Sequence, residues 1–204
     1  NITLMSIDDL AKLYFCSDIV LNQNIGANGA DYSTERYTKL LLGPKYTLLG
    51  KSLRDKLQLK KGIKEIAQNI LVTLGGTDSD NQTLKVVRAI KAVKEHLRVT
   101  VVMGPGYLSE NILRREIMAD NRFMLIRNPD DIFSLMEKAD LAISAGGSTC
   151  YELACLGVPN IILVLADNQK KTAIGLQDYG TSINLGWFED VTEEGIRSAV
   201  EGLM

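Results

Sequence analysis

The sequence predicts a doubly wound parallel α/β domain, on two observations. From Asn69 onward, apolar runs of strand length alternate with helical patterns, and these runs are continuously apolar, as a sheet covered by helices on both faces requires. Polar, glycine-containing loops follow several of the runs, at the carboxyl ends where such sheets bind their ligands.

The strands are expected at Ile70–Leu74, Val99–Met103, Phe123–Ile126, Leu141–Ser144, Ile161–Leu165 and Ser182–Leu185. The helix after the first of them shows its period well. Leu84, Val87, Ile90 and Val93 form an apolar stripe, Lys85, Arg88, Lys91 and Lys94 turn to water, and Asp80 or Asn81 caps the start.

Ahead of this domain, Ile2 to Ser6 predicts a buried strand that opens into a loop at Asp8-Asp9. Leu10 to Phe15 then predicts one or two helical turns, Asp18 to Asn22 a second strand, and Gln23 to Arg36 a loop without periodicity. Leu40 to Pro44 carries a turn signal, and Leu48 to Lys61 is a charged helical or linker segment unlike either flank. These changes divide the chain into residues 1–47, a linker region 48–68, and the main domain 69–204. Because the chain opens on Asn1 with a strand-like run, residues 1–47 are expected to be the remnant of a second α/β domain whose beginning has been removed.

Composition narrows the function classes. The 204 residues carry a formal net charge of −2 and are 46% apolar. That balance argues against a nucleic-acid binder held by phosphate contacts. The one basic run, Lys51 to Lys64, interleaves leucines at helical spacing and reads as a solvated face. No apolar stretch reaches the roughly 18 residues of a membrane span. Three cysteines form neither an even disulfide framework nor a metal-type cluster, so a cytoplasmic protein without a metal cofactor is expected. Cys150 and Cys155 read as small buried hydrophobes.

Three loops carry the candidate chemistry. In Gly75-Gly76-Thr77-Asp78, adjacent glycines at a strand end expose backbone N–H groups that can cradle phosphate, although a tight turn explains them as well. Ala145-Gly146-Gly147-Ser148-Thr149 leads into a helix that Ser148 or Thr149 can cap, so the positive end of the helix dipole favours a diphosphate. Glu152, one turn in, can accept both hydroxyls of a ribose or close a capping box with Ser148 or Thr149. In Asp167-Asn168-Gln169, polar residues open the next helix, with Asp167 or Asn168 as a simple cap in the plainer reading. The three loops at neighbouring strand ends make one crevice. No G-x-G-x-x-G follows a predicted strand, which argues against a nicotinamide-binding domain.

Gly75 to Asp78, Ser144 to Thr149 with Glu152, Gly157-Val158-Pro159 and Asp167 to Gln169 together resemble the C-terminal, donor-binding domain of GT-B-type enzymes, the MurG-like group. The sequence is more similar still to the UDP-sugar hydrolases of pseudaminic acid biosynthesis and their relatives in spore coat polysaccharide synthesis. Asp8 to Ala11 and Leu42 to Pro44 match the end of that family's N-terminal domain. The resemblance implies two facing Rossmann-like domains, with UDP on the C-terminal one. It implies that Glu152 holds the ribose, Gly146 to Thr149 the diphosphate, and Asn168 and Gln169 face the sugar or its phosphate.

The activity it implies is release of UDP and a 2,4-diacetamido-2,4,6-trideoxy sugar. Alternatives are a MurG-like glycosyltransferase and a nucleotide-sugar-binding module without chemistry. The family's catalytic histidine lies in a glycine-rich loop that these residues lack. His96 is expected to end a lysine-rich helix just before a strand and reads as a surface residue, so no catalytic residue is assigned and this chain alone is expected to be a poor catalyst.

Overall fold

A computed structural model of the protein describes residues 2–56, 62 and 66–204. Five short strands come first: β1 (Met5–Ile7), β2 (Tyr14–Phe15), β3 (Ile19–Asn22), β4 (Ser33–Thr34) and β5 (Lys39–Leu42). A parallel sheet runs in the order β1-β3-β5, with Ser6 opposite Val20 and Val20 opposite Leu40, while β2 and β4 pair separately. Helix α1 (Lys51–Lys56) follows. Of the charged segment expected from Leu48 to Lys61, residues 48–50 precede this helix and residues 57–61 lie outside the described residues.

The main domain comprises β6 (Asn69–Thr73), α2 (Gln82–Lys91), β7 (Arg98–Met103), α3 (Glu110–Ile117), β8 (Phe123–Arg127), α4 (Ile132–Lys138), β9 (Leu141–Ala145), α5 (Thr149–Cys155), β10 (Asn160–Val164), α6 (Lys170–Asp178), β11 (Ser182–Trp187) and α7 (Glu193–Glu201). Its six strands are all parallel and lie in the order β8-β7-β6-β9-β10-β11. The direction of winding reverses between β6 and β9, so the crevice expected of a doubly wound sheet opens beyond their carboxyl ends.

Alternation along β6 shows why the strands are apolar throughout. Ile70 and Val72 enter the core formed with Val87 and Ile90 of α2 and Ile196 and Val200 of α7. Leu71 points the other way, into a core with Leu53 of α1, Met136 of α4 and Leu153 of α5. Both faces are buried, which a period of two delivers only when every position is apolar.

The first sheet is joined to the main domain through Ile25, in the loop after β3. Ile25 packs with Tyr151, Ile162, Ala173 and Leu176, and its backbone N–H donates to Tyr151 Oη at 3.0 Å. A Cβ on Gly175 of α6 would lie 1.8 Å from Ile25 Cγ2, so only glycine leaves room for this contact.

Several expectations are corrected. No helix forms over Leu10 to Phe15, because the Asp8 carboxylate accepts the N–H groups of Leu10 and Ala11 in a turn, and Ala11 is left-handed at φ 55°. The opening strand is β1 and is not buried, with Met5 and Ile7 45% and 62% exposed. Leu40 to Leu42 of the expected turn belong to strand β5, and the chain turns only at Gly43 and Pro44. Helix α2 is capped neither by Asp80 nor by Asn81. Asp78 spans its start, Oδ1 accepting from Gln82 N and Oδ2 from Thr83 N, each at 2.8 Å. Lys85 and Lys91 turn partly inward: Lys85 Nζ donates to Phe188 O and Val191 O, and Lys91 pairs with Glu116 at 2.7 Å. Of the two cysteines on α5, Cys150 is buried but Cys155 is exposed, since five residues turn it to the opposite face.

Candidate functional site

The loops after β6, β9 and β10 enclose a crevice of 540 Å³. Gly75, Gly76, Thr77, Asp78, Ala145, Gly147, Ser148, Thr149 and Gln169 all line it, together with Ser79 and Asp80. Most of the residues singled out from sequence therefore converge, and they do so at the switch point between β6 and β9.

Backbone donors give this crevice its electrostatic character. Among the described residues, the N–H groups of Gly76 and Thr77 on one wall and of Ser148 and Thr149 on the other meet no protein acceptor. Open donors facing one space favour an anion, and the α5 dipole adds to them at Ser148 and Thr149. Ser148 sits at the cap position of α5, but its side chain makes no capping hydrogen bond.

Gly146 serves the crevice from behind. It is buried, its N–H donates to Gln169 Oε1 at 3.2 Å, and a Cβ there would lie 2.9 Å from Gln169 Cβ. Gln169 Oε1 also accepts from Leu165 N at 2.9 Å, clipping the β9 and β10 loops together. Its carbonyl oxygen is thus committed to the protein.

Glu152, one turn behind Ser148 and Thr149, is half-buried and does not itself line the crevice; no side-chain hydrogen bond or ion pair of its carboxylate exists among the described residues, so the capping box does not form. Burial pushes its pKa above the ordinary carboxylate value. Asp78 is the contrasting acid: both oxygens are spent on α2, so it shapes the crevice wall.

Asn168 faces elsewhere. With Lys171 and Thr172 it borders a second cleft of 280 Å³, closed on the other side by Asp9, Asn24, Asn28 and Tyr32 of the first sheet's loops. Neither Asp167 nor Asn168 caps α6; Asp167 pairs with Lys170 at 2.7 Å, and that ammonium holds the Asp167 carboxyl below the usual range. His96 is exposed in the turn before β7.

One contributor escaped the sequence. The β7 loop, Gly104-Pro105-Gly106-Tyr107, packs directly behind Gly75 and Gly76. A Cβ on Gly104 would lie 2.4 Å from Gly76 O, and Gly106 N donates to that oxygen at 2.9 Å. Two glycines flanking a proline after a strand were the available signal.

Residues 69–204 match the glycosyltransferase family 28 C-terminal domain. The chain belongs to that family. It is 33% identical over 183 residues to the spore coat polysaccharide biosynthesis protein SpsG of Bacillus subtilis, covering 87% of this chain and 53% of that protein. Over 102 residues it is 31% identical to the pseudaminic acid cytidylyltransferase and UDP-2,4-diacetamido-2,4,6-trideoxy-beta-L-altropyranose hydrolase of Helicobacter pylori, covering 50% of this chain and 18% of that one. The chain thus spans about half the length of the first relative and far less of the second. Among solved structures, Acinetobacter baumannii MurG superposes with a TM-score of 0.65 at 18% identity, over 100% of this chain and 58% of that one. The fold is therefore the Rossmann-like GT-B arrangement. No helix among the described residues is long and apolar enough to cross a membrane.

Proposed function

We propose that this chain is the nucleotide-binding part of an enzyme that hydrolyses a UDP-linked 2,4-diacetamido-2,4,6-trideoxy sugar. The observation that carries the nucleotide assignment is Glu152, a half-buried carboxylate without a partner among the described residues, one turn into a helix at whose start the N–H groups of Ser148 and Thr149 are open. A buried acceptor left unsatisfied costs free energy, and the two vicinal hydroxyls of a ribose would satisfy it. The open N–H groups of Gly76, Thr77, Ser148 and Thr149 would then receive the diphosphate, with Gln169 beside it. Asn168, across the second cleft from Asp9 and Asn24, is placed toward the sugar in this reading. Residues 69–204 form the UDP domain, 48–68 the linker, and 1–47 belong to the acceptor-side domain.

The hydrolase reading draws on the named activity of the Helicobacter relative. Water would replace UDP at the anomeric carbon, giving UDP and the free sugar. His96 does not line the crevice, and no base is assigned among these residues. The test is incubation of the full gene product with the UDP-linked diacetamido sugar: UDP release in water alone supports hydrolysis. Release only when a glycan or lipid acceptor is added would make it a transferase of the MurG-like kind, which the fold match also accommodates.

A further inference from the structure

The Gly75 to Asn81 loop is held in a conformation it would not choose alone. Gly75, Asp78 and Asn81 all have positive φ, at 91°, 42° and 52°. For Asp78 and Asn81 this is the left-handed region, which costs an L-residue roughly 1–2 kcal/mol and persists when the surroundings impose it. Asp78 is tied to α2 as described. The remaining ties come from the β7 loop: Gly106 N donates to Gly76 O, and Tyr107 Oη donates to Asn81 Oδ1.

The β7 loop is in turn braced. Arg127, ending β8, donates to Pro105 O at 3.0 Å and Tyr107 O at 3.2 Å, and pairs with Glu110 at 2.8 Å. Tyr107 is 3% exposed, and burial together with the Asp78 carboxylate pushes its hydroxyl up to about 12, so it remains a donor at every physiological pH. Gly104 and Gly106 leave no room for a side chain, because Cβ atoms there would meet Gly76 O at 2.4 Å and Thr77 Cγ2 at 2.8 Å.

We propose that Gly104, Gly106 and Tyr107 are positioning residues for the diphosphate: from outside the crevice, they fix where the N–H groups of Gly76 and Thr77 point. The inference rests on the nucleotide assignment above. It makes the β7 loop a determinant of affinity for the β-phosphate, although it lines none of the crevice.

The test is calorimetric titration of the chain, and of its Tyr107→Phe and Gly104→Ala variants, with UDP and with UMP. Tyr107→Phe keeps the ring and removes one donor, so it guards against a Gly104→Ala variant that fails to fold. Met136→Ala, a fully buried residue of α4 in the core that Tyr107 does not share, controls for loss of stability alone. The expected result is a loss of UDP affinity of roughly tenfold in Tyr107→Phe and more in Gly104→Ala, with UMP affinity changed by less than about threefold, and both affinities kept in Met136→Ala. UDP binding by the unsubstituted chain that neither loop substitution changes would overturn the inference and leave the nucleotide assignment standing. Equal losses for UDP and UMP would overturn it as well, because a general loosening of the domain would then suffice. No UDP binding by the folded, unsubstituted chain would remove the nucleotide assignment and this inference together.

Discussion

Substituting Gly175 by alanine tests how the first sheet is joined to the main domain. The new Cβ would stand 1.8 Å from Ile25 Cγ2 and 2.8 Å from Ile25 Cβ, far inside van der Waals contact. Gly175 lies within α6, where alanine is otherwise preferred by about 1 kcal/mol, so any loss must come from the clash. Overpacking of a filled site costs typically 1–3 kcal/mol, and here Ile25 must withdraw from its pocket beside Tyr151 and Leu176. Ile25→Ala alone should cost about 2–3 kcal/mol, the low end for truncating a buried isoleucine, because Ile25 sits in a loop. In the double variant only the 2.8 Å contact remains, which a shift of a few tenths of an ångström relieves. The helix preference of alanine then reappears, so the double variant should be no less stable than Ile25→Ala. Urea unfolding of the four proteins measures this cycle, with a coupling of about 1–3 kcal/mol expected. Additivity within about 0.5 kcal/mol would refute the knob-and-socket account of this contact.

Three further outcomes follow from the same geometry. Asp78→Ala removes both acceptors at the start of α2 and should lower stability by about 1–2 kcal/mol in thermal or urea unfolding. Glu152→Gln should not lower the melting temperature at neutral pH: burial raises this carboxyl's pKa, so its charged form opposes folding above its unfolded pKa, and the amide removes that charge. For the same reason UDP affinity should fall as pH drops through the raised Glu152 pKa, a dependence that Glu152→Gln abolishes. Thiol labelling of the native chain should modify Cys16 and Cys155, whereas Cys150 should react only on unfolding, since it is buried and its pKa is pushed up to about 11.

Strand identity was the most legible feature of the sequence, because burial on both faces demands unbroken apolar runs such as Ile70 to Leu74. The helix stripe at Leu84, Val87 and Ile90 was legible for the same reason, as was the convergence of the Gly75 and Gly146 loops on one crevice. The misses share another physical cause, in that side-chain to backbone hydrogen bonds compete with the local pattern. Asp8 turns the chain where a helix was expected, and Asp78 reaches past Asp80 and Asn81 to cap α2. Gly104 and Gly106 were overlooked because their role is a contact between two loops far apart in sequence, which no local pattern encodes. Asn168 and Gln169 are adjacent yet face different clefts, a divergence set by the turn before α6.

The nucleotide assignment is tested most directly by calorimetric titration of the chain with UDP, beside CDP and the Glu152→Gln variant. Selective UDP binding is expected, weakened about 10- to 100-fold in Glu152→Gln, the loss expected when a charged acceptor worth roughly 1.5–3 kcal/mol is neutralised. Equal affinity of the folded variant and the unsubstituted chain for UDP would contradict it.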